Sequence, residues 1–108
     1  MNNLRYLLLQ IRDERDPMRQ QEVECFSRII GCRPDKILVH DMLGSKTPTA
    51  EVSRCDIVLI GGSGDYSAVD DSDWLDRALD LMRSLHDDGK PTFASCWGFQ
   101  AMARAMGL

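Results

Sequence analysis

Residues 90–108 have the sequence KPTFASCWGFQAMARAMGL, in which a short strand-like segment leads through one cysteine into a helix-like segment. Thr92–Ala94 is predicted as a strand introduced by proline, and Gly98 to Met106 as a helix ended by Gly107. A cysteine between a strand and a helix lies on a sharp turn that lifts its side chain above the sheet. The segment therefore predicts an α/β fold with an elbow at Cys96.

The rest of the chain alternates apolar strands with amphipathic helices. Tyr6–Ile11 (YLLLQI) is a continuous apolar run, as expected for a strand buried on both faces. Asp16 and Pro17 form a good helix start, and Gly31 a good helix end. Further strands are predicted at Lys36–His40 and Asp56–Ile60. Apolar residues at three-and-four spacing predict two helices. The first has Val23, Phe26, Ile29 and Ile30 on its apolar face, and the second, after a cap at Asp71 or Ser72, has Trp74, Leu75, Ala78, Leu79, Met82 and Leu85.

This order of elements predicts a doubly wound, mostly parallel sheet with strand order 2-1-3-4. The long segment from Met42 to Arg54 has room for a short helix at Ala50–Arg54. Doubly wound sheets place their sites at the carboxyl ends of the strands. Such an end precedes Cys96, and another precedes the glycine-rich segment that follows Ile60.

Composition and charge exclude several classes of function. The formal net charge is −4, with no cluster of basic residues to neutralise phosphates, which argues against a nucleic-acid partner. The apolar run Leu7–Leu9 is too short for a signal-peptide core or a membrane span. We therefore expect a cytoplasmic protein without a membrane partner.

The cysteine spacing favours free thiols. Cys25, Cys32, Cys55 and Cys96 form no CxxC pair that would suggest zinc or a redox dithiol. Without a secretion signal, disulfides are not expected, and the first three cysteines are predicted as buried thiols. Nothing in the sequence implies a metal or an organic cofactor.

The glycine-rich segment 61–67 (GGSGDYS) follows the predicted strand Asp56–Ile60. A flexible turn and a phosphate-binding loop are the competing interpretations, but no Lys-Ser/Thr pair follows the glycines and no helix begins directly after them. Glycines let a backbone N–H approach a ligand without obstruction. Because this strand would neighbour the one that precedes Cys96, both segments are predicted to line one pocket.

Together, IVLIGGSGDYS (57–67) and KPTFASCWGFQAMARAMGL (90–108) resemble the class I glutamine amidotransferases, most closely the GMP synthase type. The resemblance implies a flavodoxin-like fold, of which residues 1–108 would be an incomplete domain, truncated after the elbow helix. Two positions depart from the pattern of that family. Ala94 stands where the family has Gly, and Ser63 where the GMP synthase type has Pro.

The resemblance also implies roles for individual residues. Cys96 would attack the glutamine carboxamide, and the backbone N–H groups of Gly62 and Trp97 would form the oxyanion hole. Gln100, with Gly61 and Ser63, would bind the substrate glutamine. A γ-glutamyl thioester would form and be hydrolysed, and the released ammonia would pass to a synthetase domain or subunit.

The family's general base is a histidine in a His-x-Glu segment, and residues 1–108 contain no such segment. His40 is predicted three strand positions from the elbow, roughly 14 Å away. His86 is predicted at the opposite edge of the sheet. The 108-residue chain is therefore expected to be nearly inactive as a glutaminase, and its open last strand to favour self-association.

Other functions fit parts of the same pattern. A γ-glutamyl peptidase or hydrolase would use the same fold and nucleophile with water as the acceptor. An α/β-hydrolase with a cysteine elbow, of the dienelactone hydrolase kind, would have more strands before the elbow and no Gly-Gly loop. A relic or interaction module that has lost catalysis is the non-enzymatic alternative.

Overall fold

The computed structural model describes residues 3–63, 66–67 and 72–107 and has an α/β fold. One four-stranded sheet contains β1 (Tyr6–Gln10), β2 (Ile37–Asp41), β3 (Ile57–Ile60) and β4 (Thr92–Ala94). The strands pair in the order β2-β1-β3-β4, and every pairing is parallel. The predicted strand order is confirmed.

The described residues form four α-helices: α1 (Met18–Ile30), α2 (Thr49–Arg54), α3 (Asp73–Asp87) and α4 (Trp97–Ala105). The first three connect successive strands, and α4 follows β4. A short 3-10 helix, Pro34–Lys36, precedes β2. The first helix begins as predicted, because Asp16 Oδ1 accepts a hydrogen bond from the Met18 N–H at 2.8 Å. It ends at Gly31, which adopts a left-handed conformation with φ 82°. The short helix predicted near Arg54 is present as α2.

Helices cover both faces of the sheet, which explains why β1 is apolar without alternation. All five residues of β1 are buried. Leu7 and Leu9 pack on one side with residues of α3 and α4, and Tyr6 and Leu8 on the other with residues of α1. This two-sided core is consistent with a doubly wound fold.

Two predictions about individual side chains, those for Ile29 and Cys25, are wrong. Ile29 is 82% exposed, although its spacing placed it on the apolar face of α1. Cys25 is also exposed. Cys25 and Ile29 line an open pocket between α1 and the edge strand β4, so no other described element covers them. Ser72 occupies the N-cap position of α3, but its hydroxyl makes no capping hydrogen bond. Asp71, the other predicted cap, lies outside the described residues, as do Gly64 and Asp65.

The described helices are all too short or too polar to cross a membrane. The longest of them, α3, has 15 residues and carries charged side chains in its first turn. Its apolar residues form a single stripe that packs on the sheet, as the three-and-four spacing predicted.

Candidate functional site

The turn between β4 and α4 holds Cys96 in an unusual backbone conformation. Its φ is 53° and its ψ is −122°, and among the described residues no other non-glycine has a positive φ. Such a conformation costs about 1–3 kcal/mol and persists only where the surroundings enforce it. The sharp strand-to-helix turn predicted at Cys96 is therefore present, and the thiol is exposed at its tip.

Backbone hydrogen bonds from neighbouring segments fix this turn. The Ser95 N–H donates to the Ile60 carbonyl at 3.0 Å, which continues the β3–β4 pairing. The Gly98 N–H donates to the carbonyls of Ser95 and Gly61, each at 2.9 Å. The cysteine turn and the glycine loop are thus tied to each other directly.

Gly98 is required by the close approach of α4 to the end of β3. A β-carbon at this position would lie 2.6 Å from the Ile60 carbonyl oxygen and 2.9 Å from its carbonyl carbon. Backbone atoms cannot move aside as a flexible side chain can. A glycine two positions after the cysteine is therefore needed for the contact between helix and strand.

The strain at Cys96 leads to a stability prediction. Replacing Cys96 with glycine should raise the free energy of unfolding by about 1 kcal/mol, because the relief of strain exceeds the entropic cost of a glycine. Urea denaturation measures the change. Cys96→Ala is the matched control: it keeps the β-carbon and the strain, and its stability should stay within about 0.5 kcal/mol of the original. Equal free energies of unfolding for Cys96→Gly and Cys96→Ala would show that the backbone at Cys96 is not strained.

Next to the glycine loop lies a buried polar network that was not predicted from the sequence. Glu22 on α1 is 7% exposed and Arg12, just after β1, is 9% exposed. Arg12 donates to Glu22 Oε2 from Nε at 3.3 Å and from Nη2 at 3.2 Å. Gln10 Nε2 donates to Glu22 Oε1 at 3.3 Å, and Arg12 also bonds Asp16 at 3.2 Å.

The charges in this network stabilise the guanidinium. The pKa of Arg12 lies above its ordinary value: burial lowers it, but the hydrogen bonds and charges of Glu22 and Asp16 more than compensate. Arg12 therefore stays cationic beside the glycine loop. A signal for this network was present in the sequence, since Glu22 is four residues before Phe26 on the buried stripe of α1 and Arg12 follows the apolar run Tyr6–Ile11.

The same network engages one of the predicted oxyanion donors. The Gly62 N–H donates to Glu22 Oε2 at 3.2 Å. In this arrangement the N–H is directed at a carboxylate, and a substrate oxygen could use it only after Glu22 releases it. The other predicted donor, the Trp97 N–H, belongs to the first turn of α4, where backbone N–H groups have no partner within the helix.

A pocket of about 380 Å³ connects these features. Cys96, Gly61 and Gly62 line it together, as the sequence predicted. One end is polar, and the larger wall is apolar. The remaining lining residues are Arg12, Met18, Glu22, Cys25, Phe26, Ile29, Phe93 and Ser95.

Two predicted substrate-binding residues do not line this pocket. Ser63 is buried, and its hydroxyl donates to the Tyr66 carbonyl. Gln100 is exposed on α4, where its backbone N–H bonds the Cys96 carbonyl at 3.2 Å. Ser63 and Gln100 therefore lie outside the set of residues that line the cavity beside the thiol.

A chain of aromatic rings supports the elbow from the opposite side. The Trp97 side chain is buried, and its ring centroid lies 5.8 Å from that of Trp74 on α3. Trp74 in turn contacts Tyr66 edge-to-face at 5.5 Å. These contacts join the glycine loop, α3 and the residue after the cysteine. The Trp97 indole N–H is buried and finds no hydrogen-bond partner among the described residues.

Neither histidine of the chain lies at this pocket. His40 is on β2, at the opposite edge of the sheet from β4, and its ring contacts the Lys46 carbonyl at 3.0 Å and Glu51 at 3.9 Å. His86 is exposed in the last turn of α3. The sequence prediction that neither can serve Cys96 as a base agrees with these positions.

All four cysteines are free, as predicted. Cys25 shares the pocket with Cys96, whereas Cys55 is buried and Cys32 is half-buried. Burial raises the pKa of the Cys55 thiol, which keeps that thiol protonated and unreactive. Within the described ranges, no group of three or more His, Cys, Asp or Glu side chains could hold a metal ion.

The arrangement provides an exposed thiol at a helix N-terminus, a backbone N–H group beside it and a neighbouring pocket. The exposed sulfur can attack an electrophilic carbon that enters the pocket. Comparison of the chain with models of known protein families, with curated proteins and with solved structures gave no match.

Proposed function

We propose that this chain is the nucleophile-bearing portion of a flavodoxin-like, class I glutamine amidotransferase domain. The observation that carries the proposal is the positive-φ turn at Cys96, hydrogen-bonded to the Gly61–Gly62 loop. A strained non-glycine residue with an exposed thiol points to function, because packing alone would favour glycine there. The parallel strand order 2-1-3-4 gives further support, since it places both motifs on adjacent strands.

In the proposed reaction, the Cys96 thiolate attacks the carboxamide carbon of glutamine and forms a tetrahedral oxyanion. The carbon–nitrogen bond then breaks, and the nitrogen takes up one proton, equivalent to the one that the Cys96 thiol released, and leaves as ammonia. Water hydrolyses the resulting γ-glutamyl thioester to glutamate and restores the thiol. The Trp97 N–H would stabilise the oxyanion. A synthetase domain or subunit would receive the ammonia.

The apolar wall of the pocket favours a second candidate, a γ-glutamyl peptidase or hydrolase. Met18, Phe26, Ile29 and Phe93 form this wall beside the thiol. A primary amide has no group that would fill such a surface, whereas an amide with an apolar substituent on nitrogen does. Protection of Cys96 by a γ-glutamyl anilide at concentrations where glutamine gives none would favour this candidate.

Affinity labelling tests the proposal. The protein is treated with a chloroketone analogue of glutamine, and the labelling rates of Cys96 and Cys25 are measured by peptide mass spectrometry. We expect Cys96 to react about 10-fold or more faster than Cys25, because a bound and oriented electrophile reacts at a higher effective concentration. Excess glutamine should slow only the labelling of Cys96.

Cys25 is the internal control, because it is exposed in the same pocket and lies on a regular helix. Iodoacetamide, which does not mimic glutamine, measures the intrinsic reactivity of both thiols. Equal labelling of Cys25 and Cys96 by the chloroketone, with no protection by glutamine, would contradict the proposal and favour a non-catalytic interaction module.

The open edge of the sheet leads to a prediction about self-association. Phe93 on the edge strand β4 is 54% exposed, and exposed apolar edges favour pairing between chains. We expect the 108-residue chain to associate at micromolar concentrations and Phe93→Lys to shift it toward monomer. Sedimentation equilibrium measures both states, and a monomeric original chain would contradict the prediction.

A further inference from the structure

The peptide group between Gly61 and Gly62 is held at both ends. Its carbonyl, from Gly61, accepts the Gly98 N–H at 2.9 Å, and its N–H, from Gly62, donates to Glu22 Oε2 at 3.2 Å. The first bond leads to the helix that begins just after Cys96, and the second leads to α1 on the other face of the sheet. Rotation of this one peptide would break both bonds.

The Glu22 carboxylate is itself fixed in place. Its Oε2 accepts hydrogen bonds from Gly62 N, Arg12 Nε and Arg12 Nη2, and its Oε1 accepts one from Gln10. The side chain is 7% exposed. Because several donors converge on a buried carboxylate, it has little freedom to follow a displaced loop.

The loop also has little space in which to move. A β-carbon on Gly61 would lie 2.7 Å from Glu22 Oε2 and 3.2 Å from Phe26 Cε2. A β-carbon on Gly62 would lie 2.9 Å from Arg12 Nη2. The carboxylate and the guanidinium therefore lie directly against the glycine backbone.

We propose that Glu22 is a positioning residue for the reaction at Cys96. It acts through the Gly61–Gly62 peptide and the Gly98 N–H, which hold the elbow in its strained conformation. It does not contact the substrate carbon or transfer a proton. The proposed reaction rests on the amidotransferase function above, whereas the positioning of the elbow can be measured without it.

Amide hydrogen exchange tests the positioning directly. In Glu22→Ala, the Gly62 amide should exchange about 10-fold or more faster, because the carboxylate that accepts it is gone. The Gly98 amide should also exchange faster but by a smaller factor, because it loses the Gly61 carbonyl and keeps its bond to the Ser95 carbonyl. Glu22→Gln keeps an oxygen that can accept the Gly62 N–H and should restore most of the protection. Glu24→Ala is the matched control, since Glu24 is exposed on the same helix and its carboxylate accepts a hydrogen bond from exposed Gln20.

Labelling of Cys96 by the chloroketone gives the functional readout. We expect Glu22→Ala to lower the maximal labelling rate about 10-fold or more, and Glu22→Gln and Glu24→Ala to stay within about threefold, because small displacements of a reacting group cost large factors in rate. The melting temperature of each variant is measured alongside. A folded Glu22→Ala protein with unchanged Gly98 exchange and unchanged labelling would overturn the proposal.

The remaining outcomes are equally decisive. If Glu22→Ala does not fold, amide exchange in the unsubstituted protein tests the proposal. Rapid exchange of the Gly62 amide would overturn it, and protection of the Gly62 and Gly98 amides to the same degree would support it. If the chloroketone labels Cys96 no faster than Cys25 in the unsubstituted protein, that result counts against the amidotransferase function alone. The positioning of the elbow is still tested by amide exchange, which requires no substrate.

Discussion

Replacing Gly98 with alanine is expected to lower the free energy of unfolding by about 3 kcal/mol, the upper end of the usual cost of overpacking. The added β-carbon would lie 2.6 Å from a backbone oxygen of β3, so helix α4 must move away from the sheet. This movement would also lengthen the bond from the position 98 N–H to the Gly61 carbonyl. Urea denaturation followed by circular dichroism measures the loss.

Gly44→Ala provides the control for this substitution. Gly44 is exposed in the segment after β2, and a β-carbon there would meet only the Asp41 carbonyl oxygen, at an ordinary contact distance of 3.5 Å. Gly44→Ala should therefore change the free energy of unfolding by no more than about 0.5 kcal/mol. A Gly98→Ala protein as stable as Gly44→Ala would show that α4 does not pack tightly against β3.

Glutamine hydrolysis by the 108-residue chain is expected to remain below about 0.1 s⁻¹. A median enzyme turns over at about 10 s⁻¹, and loss of a general base costs about 10²–10⁴-fold. His40 lies at the far edge of the sheet and His86 on the exposed end of α3, so neither can take the base's place. Ammonia release, measured with a coupled glutamate dehydrogenase assay, checks the rate.

Added imidazole distinguishes two reasons for a low rate of glutamine hydrolysis: the absence of a general base and the absence of a positioned nucleophile. If Cys96 is positioned but lacks a base, imidazole in the buffer should raise the rate of ammonia release, and Cys96→Ser should abolish the increase. Rapid turnover without imidazole would contradict the expectation that the chain lacks a base. An increase that survives in Cys96→Ser would show that the imidazole acts elsewhere.

The sheet and the elbow could be predicted because local signals determine them. YLLLQI at residues 6–11 is apolar at consecutive positions, which a strand covered on both faces requires. The turn at Cys96 was predicted from its place between a strand and a helix. Both features depend on residues close together in the chain.

The polar network could not be predicted in the same way, because its partners are distant in sequence. Glu22 and Gly62 are 40 residues apart, and their hydrogen bond exists only because the fold brings α1 next to the glycine loop that follows β3. The exposure of Ile29 was missed for a related reason. Helical spacing predicts which side chains share a face of α1, but it does not predict how far the sheet extends beneath that face.

The central claim is that Cys96 is a positioned nucleophile for γ-glutamyl substrates, and acylation by an activated γ-glutamyl ester tests it most directly. Such an ester needs no acid to expel its leaving group, and without a general base the thioester should hydrolyse slowly and accumulate. Peptide mass spectrometry locates the acyl group, with Cys96→Ser and the matching acetyl ester as controls. We predict a γ-glutamyl group on Cys96 that forms faster than on Cys25 and faster than the acetyl adduct. Acylation of Cys25 and Cys96 at equal rates, or of neither, would contradict the account.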